Sequence, residues 1–97
     1  MAKKKPTKAE SDHMNQVAAL GCIACMNMGH QDTPAEIHHT RFNAGGGQRS
    51  GHFSVLPLCF HHHSAQGVDG IHGGIDTWQQ VHGTEQELLK QVEGLLG

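Results

Sequence analysis

The sequence predicts a small α+β domain that is stabilised by a bound zinc ion, and three observations support this fold class. The 97 residues are 36% hydrophobic, with three Phe, one Trp and no Tyr, so burial alone would give only a thin core. Cysteines and histidines recur at ligand spacing, and two short β-capable segments are flanked by segments with helical periodicity. A structural zinc contributes roughly 10 kcal/mol or more to folding, which suits a chain of this size.

The first predicted element is a helix over about residues 8–20. Thr7 and Glu10 have the spacing of a capping box, and Gly21 is the residue type that ends a helix. Ahead of it, a run of lysines without an apolar segment indicates a disordered basic tail over residues 1–8 and no signal peptide. Residues 9–97 are expected to form one domain.

Cysteine and histidine spacing predicts a structural zinc site. Cys22 and Cys25 form a C-x-x-C pair, and Cys59 with His62 forms a C-x-x-H pair, giving the four ligands that zinc requires. His61 competes with His62 for the fourth position. The alternatives are a redox pair, which would normally lie in a βαβ pattern that is absent here, and buried cysteines without metal. Three cysteines cannot all pair as disulfides, so we expect a reducing, cytoplasmic location.

Two predicted strands, at about 35–41 and 53–58, form an antiparallel hairpin around a glycine-rich loop at 43–51. The first strand carries the adjacent pair His38 and His39. Since neighbouring residues on a strand point to opposite faces, both can serve one site only if the strand ends or bends there.

Three helical segments follow the second strand: a short or broken helix near 61–63, a short helix at about 77–81 and a longer one at about 85–96. Capping boxes are predicted at Asp76 with Gln79 and at Thr84 with Glu87. The apolar stripe of the last helix is expected to be core, with Trp78 packed nearby; it comprises Leu88, Leu89, Val92, Leu95 and Leu96.

Charge is unevenly distributed along the chain, whose net charge is −2. Beyond residue 8, only Arg41, Arg49 and Lys90 oppose nine acidic residues. A basic DNA-binding face is therefore not predicted, and phosphate contacts would depend on bound metal, the N-terminal tail and the two arginines. For each arginine, a solvated surface position is the alternative. No apolar run approaches the ~20 residues that span a bilayer, so we expect no membrane partner.

The order of these parts resembles that of the HNH (ββα-metal) endonucleases. More closely, the runs A-E-I-H-H-T and V-L-P-L-C-F-H-H-H, followed by G-I-H-G-G, resemble the phage and prophage branch of recombination-enhancement, RecA-dependent nucleases. The likeness covers roughly residues 20–85. It implies a ββα-metal domain with flanking helices that hydrolyses phosphodiester bonds in DNA with a divalent metal, with DNA and a RecA filament as partners.

The resemblance also implies roles for individual histidines. His38 would bind the catalytic metal, His39 would be the general base, and His63 would be the metal ligand at the head of the family helix. Many HNH enzymes have a third ligand one helical turn later, but Gln66 and Gly67 stand there. His72 is the natural replacement.

Two further expectations follow from the resemblance. Ser54 stands where the family usually has an asparagine that orients the base, so base orientation is expected to be less firm. The catalytic ion is Mg²⁺, Mn²⁺ or Zn²⁺, although three imidazoles suit a transition metal better than magnesium. Two alternative functions are a non-catalytic zinc module that binds nucleic acid or protein, and a histidine-rich metal-handling protein.

Overall fold

The computed structural model describes residues 5–40, 53–67 and 69–97. Within these ranges the chain is a small α+β domain built on a two-stranded antiparallel sheet. In chain order the elements are α1 (Lys8–Ala19), α2 (Ile23–Asn27), β1 (Glu36–His39), β2 (Val55–Leu58), α3 (Phe60–His63), a 3₁₀ turn (Ile71–Gly73), α4 (Ile75–His82) and α5 (Glu85–Leu96).

Helix α1 confirms the predicted capping box. Thr7 accepts a hydrogen bond from the backbone N–H of Glu10, and the Glu10 carboxylate accepts one from the N–H of Thr7. The last two residues of the predicted tail thus belong to a capped helix, and residues 1–4 lie outside the described ranges. Gly21 follows with φ +83°, a conformation that favours glycine, and turns the chain toward α2.

The hairpin is shorter than its sequence pattern predicts. His38 pairs with Leu56 and His39 with Val55, and β1 ends at His39. Beyond the end of β1, Thr40 still contacts the partner segment. Its backbone N–H and its hydroxyl both donate to the carbonyl of Ser54, at 3.0 and 2.9 Å. The predicted loop at 43–51 lies outside the described ranges.

Strand β2 is buried along its whole length because α1, α2 and α5 pack around it. This strand supplies the centre of the core, and α1, α2, α4 and α5 each add one or more buried apolar side chains. The largest of the buried apolar side chains are Trp78, Ile23, Leu56, Leu58, Ile71, Val17, Val55 and Val92. Among the described helices, none has both the length and the apolarity needed to cross a bilayer.

The two C-terminal helices differ in how well the sequence predicts them. Helix α5 has the predicted bounds and the Thr84–Glu87 capping box. Helix α4 begins at Ile75 after Gly74, without a side-chain cap, so the predicted Asp76–Gln79 box is wrong. The Gln79 side chain instead accepts a hydrogen bond from the N–H of Glu85.

The predicted apolar stripe of α5 is also wrong at one position. Leu95 is 47% exposed, whereas its neighbour Leu96 packs against the core. In the last turn, Leu96 and not Leu95 packs against the core.

Candidate metal centres

One cluster joins the starts of α2 and α3. Cys22 and Cys59 are the residues just before these helices, and Cys25 and His62 lie within their first turns. The Nδ1 atom of His62 lies 3.5 Å from Sγ of Cys22, 3.5 Å from Sγ of Cys25 and 3.2 Å from Sγ of Cys59. The Sγ atoms of Cys25 and Cys59 are 3.8 Å apart. We call this group the thiol cluster.

The distances within the thiol cluster suit a tetrahedral zinc ion. With Zn–S bonds of about 2.3 Å and Zn–N bonds of about 2.0 Å, tetrahedral geometry separates sulfur from nitrogen by about 3.5 Å and sulfur from sulfur by about 3.8 Å. The observed separations are close to these values. The cluster could therefore hold a structural metal.

Burial in the thiol cluster favours the uncharged forms of Cys22 and His62. Burial raises the pKa of the Cys22 thiol to about 12, although backbone hydrogen bonds from Cys25 and Cys59 act in the opposite direction. Burial also lowers the pKa of His62, and the nearby His82 ring lowers it further. The lowered pKa of His62 favours neutral imidazole, the form that binds metal, whereas thiols lose their protons when they bind an ion.

The structure brings the Cys22–Cys25 pair and the Cys59–His62 pair together. It also shows that His62, and not His61, contacts the thiols. His61 is exposed, and its ring lies against Phe60 outside the thiol cluster. The Cys25 thiol has the Cys59 thiol as a neighbour from a distant part of the sequence. This convergence favours a four-ligand site over a local redox pair or over separate buried cysteines.

A second cluster consists of three imidazoles from three different elements. His38 lies on β1, His63 ends α3, and His72 lies in the 3₁₀ turn. Their ring centroids are 5.2 Å apart for His38 and His63, 5.0 Å for His38 and His72, and 4.8 Å for His63 and His72. One ring nitrogen from each lies within 4.8 Å of the others, so the group could hold a metal ion. We call it the imidazole cluster.

Two carboxylates contact the imidazole cluster. Glu85 Oε2 lies 2.5 Å from Nε2 of His38, and Glu36 Oε1 lies 2.8 Å from Nδ1 of His63. The other ring nitrogen of His38, Nδ1, is buried and has no hydrogen-bond partner within the described part of the chain. A buried imidazole nitrogen that needs a partner and lies beside two other imidazoles is suited to bind a metal ion.

The imidazole cluster borders an open cavity of about 300 Å³. The cavity wall includes one side of the cluster and the glycine-rich start of α4, and consists of His38, Ile71, His72, Gly73, Gly74 and Ile75. His72 is exposed there, whereas His38 is buried. An ion bound by these imidazoles would therefore have room for water or a substrate oxygen on its cavity side.

Of the other predicted catalytic and substrate residues, the structure describes only His39, which is not among the ligand groups of either cluster. His39 is the last residue of β1 and is half-buried, and strand alternation directs it to the face opposite His38. The strand continues through His39, which pairs with Val55, so the assignment of His39 as the general base remains a prediction. Arg41 and Arg49 lie outside the described ranges.

A third group lies behind the thiol cluster. Asp69 Oδ2 is 2.5 Å from Nε2 of His82, and the His82 ring packs against Trp78 and His62, with centroids 4.7 and 5.1 Å away. The indole N–H of Trp78 donates to the carbonyl of Asp69. These contacts connect α4 to the thiol cluster through His82, which with His62 and Asp69 forms another group that could hold a metal ion.

Sequence reasoning missed both carboxylates of the imidazole cluster. Glu85 precedes Leu88 by three residues and Leu89 by four, so it lies on the apolar face of α5. A charged residue on an apolar face is a signal that could have identified it. Glu36 lies two residues before His38, on the same face of β1, and alternation alone could have suggested a shared site.

Comparison with protein families decides which group the chain belongs to. The family model described as recombination enhancement, RecA-dependent nuclease, matches residues 6–97. The chain belongs to this family. No curated protein matches it.

The family match is longer than the motif resemblance visible in the sequence. It includes α1 and α5 as well as the hairpin and both clusters, so the helix that carries Glu85 is part of the family domain. The family description names a nuclease, which is a hydrolase, and associates it with RecA and recombination.

Proposed function

We propose that this RecA-dependent nuclease family member is a metal-dependent DNA endonuclease of the HNH (ββα-metal) type, acting in phage or prophage recombination. The observation that carries the proposal is the convergence of His38, His63 and His72 beside an open cavity, with a buried nitrogen of His38 unpartnered within the described residues. Catalytic metal sites keep a side open, whereas structural sites are enclosed by protein ligands.

The two clusters would have separate tasks. The thiol cluster would hold a structural Zn²⁺, and the imidazole cluster would hold the catalytic ion, either Mg²⁺, Mn²⁺ or Zn²⁺. When bound, the catalytic ion would supply Lewis-acid stabilisation of charge on the phosphate oxygens. The role of the imidazoles is to hold that ion at the cavity wall, where a phosphodiester can approach.

His39 would act as the general base. In its neutral form it accepts a proton from the water that attacks phosphorus, and imidazole is suited to this because its ordinary pKa is near neutral pH. Its position at the end of β1, next to the ligand His38, puts it close to the imidazole cluster along the chain. Arg41 and Arg49 would contact the phosphates of the substrate.

The charge distribution supports dependence on a RecA filament. Only three cationic residues follow residue 8, against nine acidic residues in the chain. Affinity for DNA without a partner comes mainly from neutralising phosphates with lysine and arginine, so this chain should bind DNA weakly by itself. A filament that already holds DNA would supply the missing attraction.

A cleavage assay tests the proposal. Purified protein is incubated with single-stranded and duplex DNA, with and without RecA and ATP, in Mg²⁺, Mn²⁺ or Zn²⁺ and after chelation. We expect cleavage that requires a divalent ion and RecA. Replacing His39 with Ala should slow cleavage by ~100-fold or more, because a general base contributes about this factor.

Matched controls make the assay specific. His30→Ala removes an exposed histidine outside both clusters and should leave the rate unchanged. Metal content measured by elemental analysis should be the same for wild type, His39→Ala and His30→Ala. Rapid cleavage by His39→Ala would remove the assigned base, whereas full zinc content without cleavage under any condition would favour the non-catalytic zinc module.

A further inference from the structure

We propose that Glu85 is a positioning residue that fixes the tautomer of His38 and directs its Nδ1 atom to the catalytic ion. This inference rests on the proposed function, since it assigns a task within the same metal site. The pair joins the first residue of α5 to β1 across 47 positions of sequence, at 2.5 Å between Oε2 and Nε2.

Burial makes this pairing obligatory for both side chains. The side chains of Glu85 and His38 are only 1% and 2% exposed. A buried carboxylate is costly unless it is paired and hydrogen-bonded. The Nε2–H group of His38 supplies a hydrogen bond, and the N-terminus of α5 favours negative charge at Glu85.

The pairing determines which nitrogen of His38 carries the proton. An ionised carboxylate only accepts hydrogen bonds, so Nε2 of His38 must be the donor. In a neutral imidazole the other nitrogen then has a free lone pair. That nitrogen is Nδ1, the buried atom without a partner in the described residues, and it is the one left to face an ion shared with His63 and His72.

Glu36 and His63 form the complementary pair with the opposite nitrogen. Here the carboxylate accepts from Nδ1, at 2.8 Å, which leaves Nε2 of His63 for the ion. Glu36 is 54% exposed, so water screens this contact, whereas the contact of Glu85 is almost completely enclosed. We therefore expect Glu85 to orient its histidine more strongly than Glu36 orients His63.

A cobalt titration tests the role of Glu85. Protein with one equivalent of Zn²⁺ in the thiol cluster is titrated with Co²⁺, and the visible absorption of the second site gives its affinity. Glu85→Gln keeps the size of the side chain but removes its charge, and we expect Co²⁺ affinity to fall by 10–100-fold, the usual effect of losing such a partner. Glu87→Gln, an exposed cap in the same helical turn, is the control and should bind Co²⁺ as tightly as wild type.

A second measurement needs no variant and reports the tautomer directly. In ¹⁵N-histidine-labelled wild type without Co²⁺, long-range ¹H–¹⁵N correlation spectra distinguish a protonated Nδ1 from a protonated Nε2. We expect His38 to be the pure Nε2–H tautomer. A purely space-filling role for Glu85 would not set this preference, and the measurement still decides if Glu85→Gln fails to fold.

The outcomes separate this inference from the proposed function. Unchanged Co²⁺ affinity in folded Glu85→Gln, or a His38 ring protonated at Nδ1, would overturn the role of Glu85 and leave the proposed endonuclease intact. Failure of wild type to take up any second ion would overturn the metal site itself, and the role of Glu85 with it. A selective loss of affinity together with the Nε2–H tautomer supports the proposal.

Discussion

The thiol cluster and the imidazole cluster are neighbours, yet their surroundings differ. The first is assembled from two local turns, with Cys22, Cys59 and His62 all buried. The second draws one histidine each from β1, α3 and the 3₁₀ turn, and one side borders a cavity. A site closed by four protein ligands suits a structural ion, and a three-ligand site with an open side suits chemistry.

Helix α3 links the two clusters. His62 points to the thiols, and the next residue, His63, points to His38 and His72. The thiol cluster therefore fixes the helix that presents a ligand to the imidazole cluster. Substitutions in the thiol cluster should therefore also abolish metal binding at the imidazole cluster. Substitutions in the imidazole cluster should leave metal binding at the thiol cluster unchanged.

The largest expected effect comes from Cys59→Ser. A structural zinc contributes roughly 10 kcal/mol or more, and small domains have a total stability of about 5–15 kcal/mol. We expect the variant to lose zinc and cooperative thermal unfolding, as measured by elemental analysis and circular dichroism. A zinc-free variant with an unchanged melting temperature would contradict a structural role for the thiol cluster.

His72→Ala should separate chemistry from folding. We expect cleavage to fall by ~100-fold or more, because a metal ion supplies several kcal/mol of charge stabilisation at the phosphate. The melting temperature and the zinc in the thiol cluster should change little, since His72 is exposed. His61→Ala, which removes another exposed histidine, is the matched control, and equal loss of activity in both variants would argue against a defined imidazole site.

Glu36→Gln should have a smaller effect than the loss of Glu85. Its contact with His63 is half exposed, and exposed ion pairs contribute only up to about 1 kcal/mol. We therefore expect Co²⁺ affinity at the imidazole cluster to fall by less than about tenfold, in the titration described above. A loss as large as that in Glu85→Gln would show that burial does not set the strength of these contacts.

The smallest expected effect concerns the α5 cap, outside both clusters. Hydrogen bonds from the backbone N–H and the hydroxyl of Thr84 lower the pKa of Glu87 below its ordinary value of 4.5. A lowered folded-state pKa adds stability above the ordinary pKa and loses it as pH falls through the folded-state value.

Unfolding midpoints of wild type and Glu87→Gln should therefore differ slightly at pH 7 and converge as pH falls below 4.5. Glu93→Gln, which removes another exposed carboxylate of α5, controls for the loss of one negative charge at pH 7. A difference that widens at lower pH would contradict the assigned sign.

Local signals in the sequence predicted much of the fold. The capping boxes at Thr7 and Thr84 fixed the starts of α1 and α5, because a cap acts within one helical turn. Short ligand spacing predicted the two pairs of the thiol cluster, whereas the three histidines of the imidazole cluster were expected only from the family resemblance. The signal failed at Asp76, where Gly74 begins α4 earlier and Gln79 bonds to Glu85 instead. It also gave no indication that α2 would form after Cys22.

By itself, the sequence determined the ligand pairs, the capped helices and the family of this chain, because each depends on residues a few positions apart or on a recognisable order of motifs. Tertiary structure decided that His62, and not His61, meets the thiols, and that Glu85 holds His38. Both depend on how α3 and α5 pack against the hairpin, and side-chain partners 40 to 47 residues apart are set by that packing and not by local pattern.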